Sequence, residues 1–177
     1  MTPNNEMSAG APRHDVGGMG PLLAPRSIAV IGASRRAETM GHQILHNLLA
    51  YGFTGAAYPV NPSAHSICGV RAYPSVADLP EPIDLGVIVV PHTHVQEVVM
   101  QSCDAGVKSL CVISAGFREV GEVGAVRERR LTDFVRSRGI RMVGPNCMGV
   151  VNADPEIAMN ATFATAPRAC DSRAAVR

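Results

Sequence analysis

The sequence predicts an α/β domain built on a doubly wound parallel sheet, and three observations carry that prediction. Short apolar, β-branched runs such as "SIAVI" (27–31) and "LGVIVV" (85–90) are continuous rather than alternating, as strands covered on both faces must be. These runs alternate with segments of helical period. Three of the helical segments also end alike, in "YGF" (51–53), "AGV" (105–107) and "RGI" (138–140), and a strand-like run follows each. Glycine just past a helix end takes the left-handed conformation that other residues resist, and the next hydrophobe packs back on the last turn. Regular punctuation of this kind implies parallel strands joined by crossovers, hence one Rossmann-like domain over residues 25–152. A flexible N-terminal segment, 1–24, precedes it, and a disordered or truncated tail is expected over 153–177, where "ATFATAPRACDSRAAVR" has no apolar period.

Taken in order, "SIAVI" is the first strand. A helix follows in which Ile44, Leu45, Leu48 and Leu49 recur on one face. "GAAYPV" (55–60) is the weakest strand, because Pro59 has no amide to donate and suits a strand end. Four prolines in residues 61–83 mark an ordered surface loop with a short helix near Ser75–Leu79. "LGVIVV" is the third strand, followed by a helix presenting Val95, Val98, Val99 and Cys103. "SLCVI" (109–113) and "IRMV" (140–143) complete the sheet. Between them lies a helix with Leu131, Phe134 and Val135 inward, its Arg127, Arg129, Arg130 and Arg136 forming a solvated face with Glu128 and Asp133.

Composition removes several function classes. Sixteen Lys and Arg against fifteen Asp and Glu leave a formal charge of +1, so no global field draws the chain to nucleic acid or an anionic membrane. Four Phe, three Tyr and no Trp leave little for base stacking. The longest apolar run, Leu85–Val90, is far too short to span a bilayer. Residues 1–24 lack the apolar centre of a secretion signal. Five cysteines without a CxxC pair read as reduced thiols of a cytoplasmic protein.

In a doubly wound sheet, ligands bind beyond the carboxyl ends of the strands, near the point where strand order reverses. The loops of interest therefore begin at Gly32, Asn61, Pro91, Ser114 and Gly144. Gly32 permits a tight turn, and the amides after it can face an anion at a helix start. Ser34 adds a hydroxyl, and Arg35 and Arg36 offer phosphate-matching guanidinium groups. An NAD site wants a carboxylate at the end of the second strand to hold ribose hydroxyls. This chain reads "AAYPVNPSAHS" there, and Ser34 replaces the second glycine of GxGxxG. A phosphate-bearing ligand without that ribose contact fits better than NAD.

A family resemblance is carried by several motifs together. "PRSIAVIGAS", "GHQILHNLL", "YPVNP", "GVRAYPSVADLPEPIDLGVIVVP", "CVISAGFREVGEVG" and "RMVGPNCMGVVN" run collinearly over about residues 22–163. This pattern resembles the CoA-binding domain of NDP-forming acyl-CoA synthetases, related to the alpha subunit of succinyl-CoA synthetase and found also in acetyltransferase-fused members. The resemblance implies coenzyme A as the ligand. By position, Gly32, Ala33, Ser34, Arg35 and Arg36 would approach its nucleotide and diphosphate, and Asn61 and Pro62 would line the adenosine end. Val90 and Pro91 would border the pantetheine, Ile113, Ser114 and Ala115 would form a further wall, and Pro145 and Asn146 would lie near the thiol. Ser63 stands where the family commonly has Lys, with Arg35, Arg36 or Arg71 as candidates to compensate. The family's phosphohistidine and ATP-grasp domains do not fit in 177 residues, so the chain is expected to bind CoA or acyl-CoA without catalysing full turnover alone. Those parts would come from the rest of a longer chain or from a separate subunit. An NAD(P)-binding redox or sensor domain, and a regulatory docking partner of a ligase or acetyltransferase subunit, are the alternative readings.

Other residues invite chemistry and carry less. His92 and His94 in "PHTH" have no Cys or carboxylate nearby in sequence, so they read as helix-start polar residues and not metal ligands. His42 and His46 share a helix, with His42 at its opening. Cys147 has no adjacent His base. "GFREVGEVG" (116–124) reads as a mobile loop carrying Glu119 and Glu122.

Overall fold

A computed structural model describes residues 18–164. Five strands, β1 (Ser27–Ile31), β2 (Ala56–Val60), β5 (Leu85–Ile88), β6 (Ser109–Val112) and β7 (Arg141–Val143), form one sheet in the order β2-β1-β5-β6-β7. Every pairing in it is parallel. Two small antiparallel hairpins complete the strands: β3 (Ser66–Ile67) with β4 (Val70–Arg71), and β8 (Gly149–Asn152) with β9 (Met159–Thr162). The helices are α1 (Gly20–Leu23), α2 (Met40–Ala50), α3 (His92–Asp104) and α4 (Glu122–Ser137). The doubly wound fold anticipated from the alternation is the one observed.

Side chains along a strand alternate between faces, so each central strand feeds two cores. Ile28 and Val30 of β1 join Leu85, Val87 and Cys111 under α2, where Ile44, Leu45 and Leu48 are fully buried. Ala29 and Ile31 join Ile88, Leu110 and Val112 on the other face, beneath Val95 and Val99 of α3 and Leu131 and Val135 of α4. Each such Leu, Ile or Val contributes about 1.5–3 kcal/mol by leaving water. All three predicted helix stops form as expected. The amides of Phe53, Val107 and Ile140 donate to the carbonyls of Leu48, Ser102 and Val135, while Gly52, Gly106 and Gly139 are left-handed. The short helix near Ser75–Leu79 is a 3-10 turn over Val76–Asp78, capped reciprocally by Ser75 and Asp78.

Among the described residues, packed structure continues on both sides of residues 25–152. Leu22 of α1, within the segment assigned to a flexible N-terminus, is 2% exposed in the core. Beyond residue 152 the chain turns back as β9, whose four residues are all buried, and Met159 and Ala161 pack beneath α2. Asn47 of α2 donates to the carbonyls of Thr162 and Ala164 at 2.7 and 2.9 Å. β9 escaped the sequence reading because "MNAT" has a strand's burial without a strand's hydrophobicity. Its polar Asn160 and Thr162 bond each other at 2.7 Å inside the fold. Residues 1–17 and 165–177 lie outside the described part.

At the amino ends of the strands, Asp84 ties three of them together. Its carboxylate accepts from the Arg26 amide and the Lys108 ammonium, both at 2.8 Å, and its backbone carbonyl accepts from Ser109. Burial pushes the Asp84 carboxyl up, but the Lys108 bond, the Arg26 amide and the two nearby cations outweigh it and hold the group below its ordinary value. The carboxyl ends of the strands lie at the opposite end of the sheet.

Candidate functional site

β1 ends in a turn that only glycine permits. Gly32 has φ of 93°, and a side chain there would meet the Val89 carbonyl oxygen at 2.3 Å. The loop then runs longer than a dinucleotide fingerprint allows, reaching α2 at Thr39 and Met40. Thr39 caps that helix by accepting from the His42 amide. Gly41 sits one residue into α2, and a Cβ on it would stand 2.2 Å from the Gly32 carbonyl oxygen. In the dinucleotide fingerprint the third glycine allows close packing of helix on strand. Gly41 performs that service here from nine positions downstream of Gly32. The opening of "GHQILHNLL" contained this glycine, but only the folded chain reveals its contact.

Side chains at the carboxyl edge join neighbouring loops. Asn61, after β2, donates to the Ala33 carbonyl at 2.8 Å, and its own oxygen accepts from the amides of Ser63 and Ala64. Ser114, after β6, donates to the Val90 carbonyl at 2.6 Å. The Asn146 amide, after β7, donates to the Ser114 carbonyl at 3.1 Å. These bonds link the β2 loop to the β1 loop, the β6 loop to the β5 loop, and the β7 loop to the β6 loop. Among the described residues no side-chain hydrogen bond joins the loops after β1 and β5. That junction is where strand order reverses, and there a cleft of about 700 Å³ opens.

The cleft is lined by Gly32, Ala33, Ser34, Arg36, Asn61, Val90, Pro91, Ser114 and Ala115, all predicted, and by Glu38, Thr39, Met40, Gly41, Val89 and His92 besides. Arg35 borders an adjoining hollow of about 190 Å³ together with Ser34, Arg36, Asn61, Ser63 and Ala64. Pro62 is exposed outside the lining. Ile113 is not at the surface of the cleft: it is 3% exposed in the core, because its side chain falls on the inner face of the sheet. Pro145 and Asn146 belong to the next loop, joined to the cleft through Ser114. Arg71 lies over the Tyr73 ring, 5.3 Å from its centre.

The polar equipment suits an anion with a long neutral arm. Two helices, α2 and α3, start at the cleft without an acidic residue in their first turns. Pro91 precedes α3 without a side-chain cap, leaving the first amides of that helix facing the cleft at His92. Arg35 and Arg36 are exposed beside it, with Glu38 the one carboxylate in the lining. Ser34 accepts from the Arg36 amide at 3.1 Å, which shapes the turn. His42 lies within 2.9 Å of the Ser34 carbonyl through Nδ1, and since a carbonyl only accepts, that nitrogen carries the proton. Farther along, Val90, Pro91 and Ala115 give an apolar wall, and the Ser114 oxygen keeps a lone pair for an amide donor.

Within the run 116–124, expected as a mobile loop, residues 116–121 fold into a hydrogen-bonded turn. Arg118–Val120 make a 3-10 turn, and Glu119 accepts from the amides of Gly116 and Phe117. Those amides, together with a bond from the Asn146 side chain, hold the Glu119 carboxyl below its ordinary value. Arg127 donates to the Gly116 carbonyl and lies over the Phe117 ring. Glu128 pairs with Arg118 at 3.0 Å, so one arginine of this region is engaged away from the cleft. Among the described residues no group of three His, Cys, Asp or Glu is arranged to hold a metal ion, and no helix is long and apolar enough to cross a membrane.

Comparison with known proteins converges on one family. Residues 26–153 match the family model described as CoA binding domain. The 4-hydroxybutyrate–CoA ligase (ADP-forming) of Nitrosopumilus maritimus is 43% identical over 143 residues, which cover 81% of this chain and 20% of that protein. The alpha subunit of acetate–CoA ligase (ADP-forming) II from Pyrococcus furiosus is 41% identical over 141 residues, 80% of this chain and 30% of that subunit. Among solved structures, the dinucleotide-forming acetyl-coenzyme A synthetase 1 of Ca. Korarchaeum cryptofilum, in complex with phosphate and ADP, superposes with a TM-score of 0.77 at 43% identity. That likeness covers 82% of this chain and 30% of the other. The chain therefore spans less than a third of the length of these relatives. With the switch-point cleft, the glycine turn and this match in agreement, the chain belongs to the CoA-binding domain family, whose ligand is coenzyme A.

Proposed function

We propose that this chain is the CoA-binding module of an NDP-forming acyl-CoA ligase. Its cleft holds the nucleotide and diphosphate of CoA at the Gly32–Arg36 turn and leads the pantetheine past Val90, Pro91 and Ser114. The thiol then lies toward Pro145 and Asn146. Acyl activation, through acyl phosphate and phosphohistidine steps, is assigned to ATP-grasp and phosphohistidine domains on other parts of the enzyme or on a partner subunit.

One observation carries the choice of ligand. Where an NAD site needs a free carboxylate, β2 ends in Asn61, whose amide is occupied by Ala33 and whose oxygen is occupied by Ser63 and Ala64. No side chain at that position is left to accept from ribose hydroxyls, while amides and guanidinium groups for phosphate stand next to it.

Thermal denaturation with CoA, acetyl-CoA, NAD and NADP added separately tests the proposal. A ligand at 100 times its Kd contributes about 2.7 kcal/mol to stability, a readable shift in Tm. CoA and acetyl-CoA are expected to raise Tm and NAD to leave it unchanged. Stabilisation by NAD alone would support the redox reading, and a folded protein that no ligand stabilises would support a docking role.

A further inference from the structure

Cys111 and Cys147 are 36 positions apart in sequence, yet their Sγ atoms stand 3.7 Å apart. Cys111 is fully buried in the middle of β6. Cys147 is half-buried on the loop between β7 and β8, immediately after Pro145 and Asn146, and its thiol also reaches the Val112 carbonyl at 3.4 Å. The acyl-transfer scheme above uses neither thiol. The two have no other cysteine partner among the described residues, since Cys68 is exposed elsewhere and Cys103 lies on α3.

We propose that Cys111 and Cys147 are a reversible dithiol–disulfide pair that hydroperoxides oxidise, tethering the Pro145–Asn146 loop to β6. The bond requires the sulfurs to close from 3.7 Å to about 2.05 Å. Cys147 supplies most of the movement because it sits on a loop, whereas Cys111 is fixed in a central strand. The hydrogen bond from Cys111 draws the Cys147 thiol down to about 7 and pushes the Cys111 thiol well above its ordinary value. Cys147 is therefore the sulfur that reacts first.

The chemistry balances with one hydroperoxide. The Cys147 thiolate attacks a peroxide oxygen, the O–O bond breaks, and Cys147 becomes a sulfenic acid while the other oxygen leaves as an alcohol or water. Oxidation of Cys147 removes the bond that raised Cys111, while burial still holds that thiol up, so its proton passes to the departing hydroxide as the sulfur attacks. Its sulfur attacks the sulfenic sulfur, the S–S bond forms, and hydroxide leaves and takes up the proton as water. Both thiols are oxidised and the peroxide is reduced.

The consequence for the ligand rests on the CoA reading. Drawing Cys147 toward β6 pulls on Asn146, whose backbone amide donates to the Ser114 carbonyl at 3.1 Å. The disulfide form thus binds CoA more weakly than the dithiol form.

The test uses the full wild-type chain, treated with hydrogen peroxide, alkylated, digested and analysed by mass spectrometry. The expected product is a linked pair of peptides containing Cys111 and Cys147, lighter by two hydrogens and separated again by dithiothreitol. Cys147 carried to the sulfinic acid beside a free Cys111, or linked instead to Cys68, Cys103 or Cys170, overturns the pairing. A variant with Cys68→Ser, Cys103→Ser and Cys170→Ser together must still form the link. CoA is titrated into the reduced protein first. If that protein does not bind CoA, the CoA reading fails while the pairing is still judged by mass. If the oxidised protein binds CoA as tightly as the reduced one, the coupling is overturned.

Discussion

Gly41 and Gly32 meet so closely that a methyl group on Gly41 would stand 2.2 Å from the Gly32 carbonyl oxygen. The contact is with backbone, which cannot swing aside as the end of a side chain can. Gly41→Ala is therefore expected to lower stability by about 1–3 kcal/mol and to displace the turn that faces the cleft. At this chain length that is a Tm fall of several degrees, read by calorimetry. Gly106→Ala serves as the control. Gly106 has φ of 79° with no atom near its missing Cβ, so it loses about 1–2 kcal/mol to backbone strain alone. Calorimetry with CoA then separates the two. Only Gly41→Ala weakens CoA binding beyond its effect on stability, and equal affinities would show that the contact does not shape the site.

Asn61→Ala removes one donor and the acceptor of two amides at the hinge between the β1 and β2 loops. The expected cost is about 1–2 kcal/mol of stability, with a loss of CoA affinity measured by isothermal titration. If stability drops while affinity for CoA holds, Asn61 supports the fold without shaping the cleft.

Arg35→Ala is expected to weaken CoA binding by about 1 kcal/mol, roughly fivefold, because an exposed arginine gives only part of a charge-assisted bond. Arg129→Ala, on the exposed face of α4, is expected to leave binding unchanged. The Arg35 effect should shrink as salt rises from low to physiological concentration. Titrations at two salt concentrations read both expectations, and equal effects of the two substitutions would remove the Gly32–Arg36 turn from the phosphate role.

Asp84 gives a prediction in pH. Its folded pKa lies below the unfolded value near 4. A depressed carboxylate contributes stability that is present above the unfolded pKa and lost as pH falls through the folded one. Urea midpoints should therefore fall below about pH 4 in the wild type. Asp84→Asn should cost about 2 kcal/mol at pH 7, where Lys108 and the Arg26 amide lose their charged partner. It should also flatten the acid limb. A variant with an unchanged acid limb would place the pH dependence elsewhere.

Much of the fold was legible because its determinants are local. Strands buried on both faces must be apolar throughout, and helices that stop before a strand need a left-handed residue, so "LGVIVV" and the glycines at 52, 106 and 139 announce themselves. The loops of the cleft were legible for the same reason, since their positions follow from strand ends. β9 was not legible, because its polar residues are satisfied by partners contributed from inside the fold.

What the sequence by itself determined, then, is the alternation of strands and helices, the absence of a carboxylate after β2, and the set of loops at the carboxyl ends of the strands. Tertiary structure decided which loops are joined and which are not. It put Ile113 in the core and Ser114 at the cleft, brought Gly41 against Gly32, and set the Cys111 and Cys147 sulfurs 3.7 Å apart. The physical reason is distance along the chain. Backbone propensity and hydrophobic period act over a few residues, whereas a hydrogen bond or a steric contact between loops exists only after the sheet has aligned their ends.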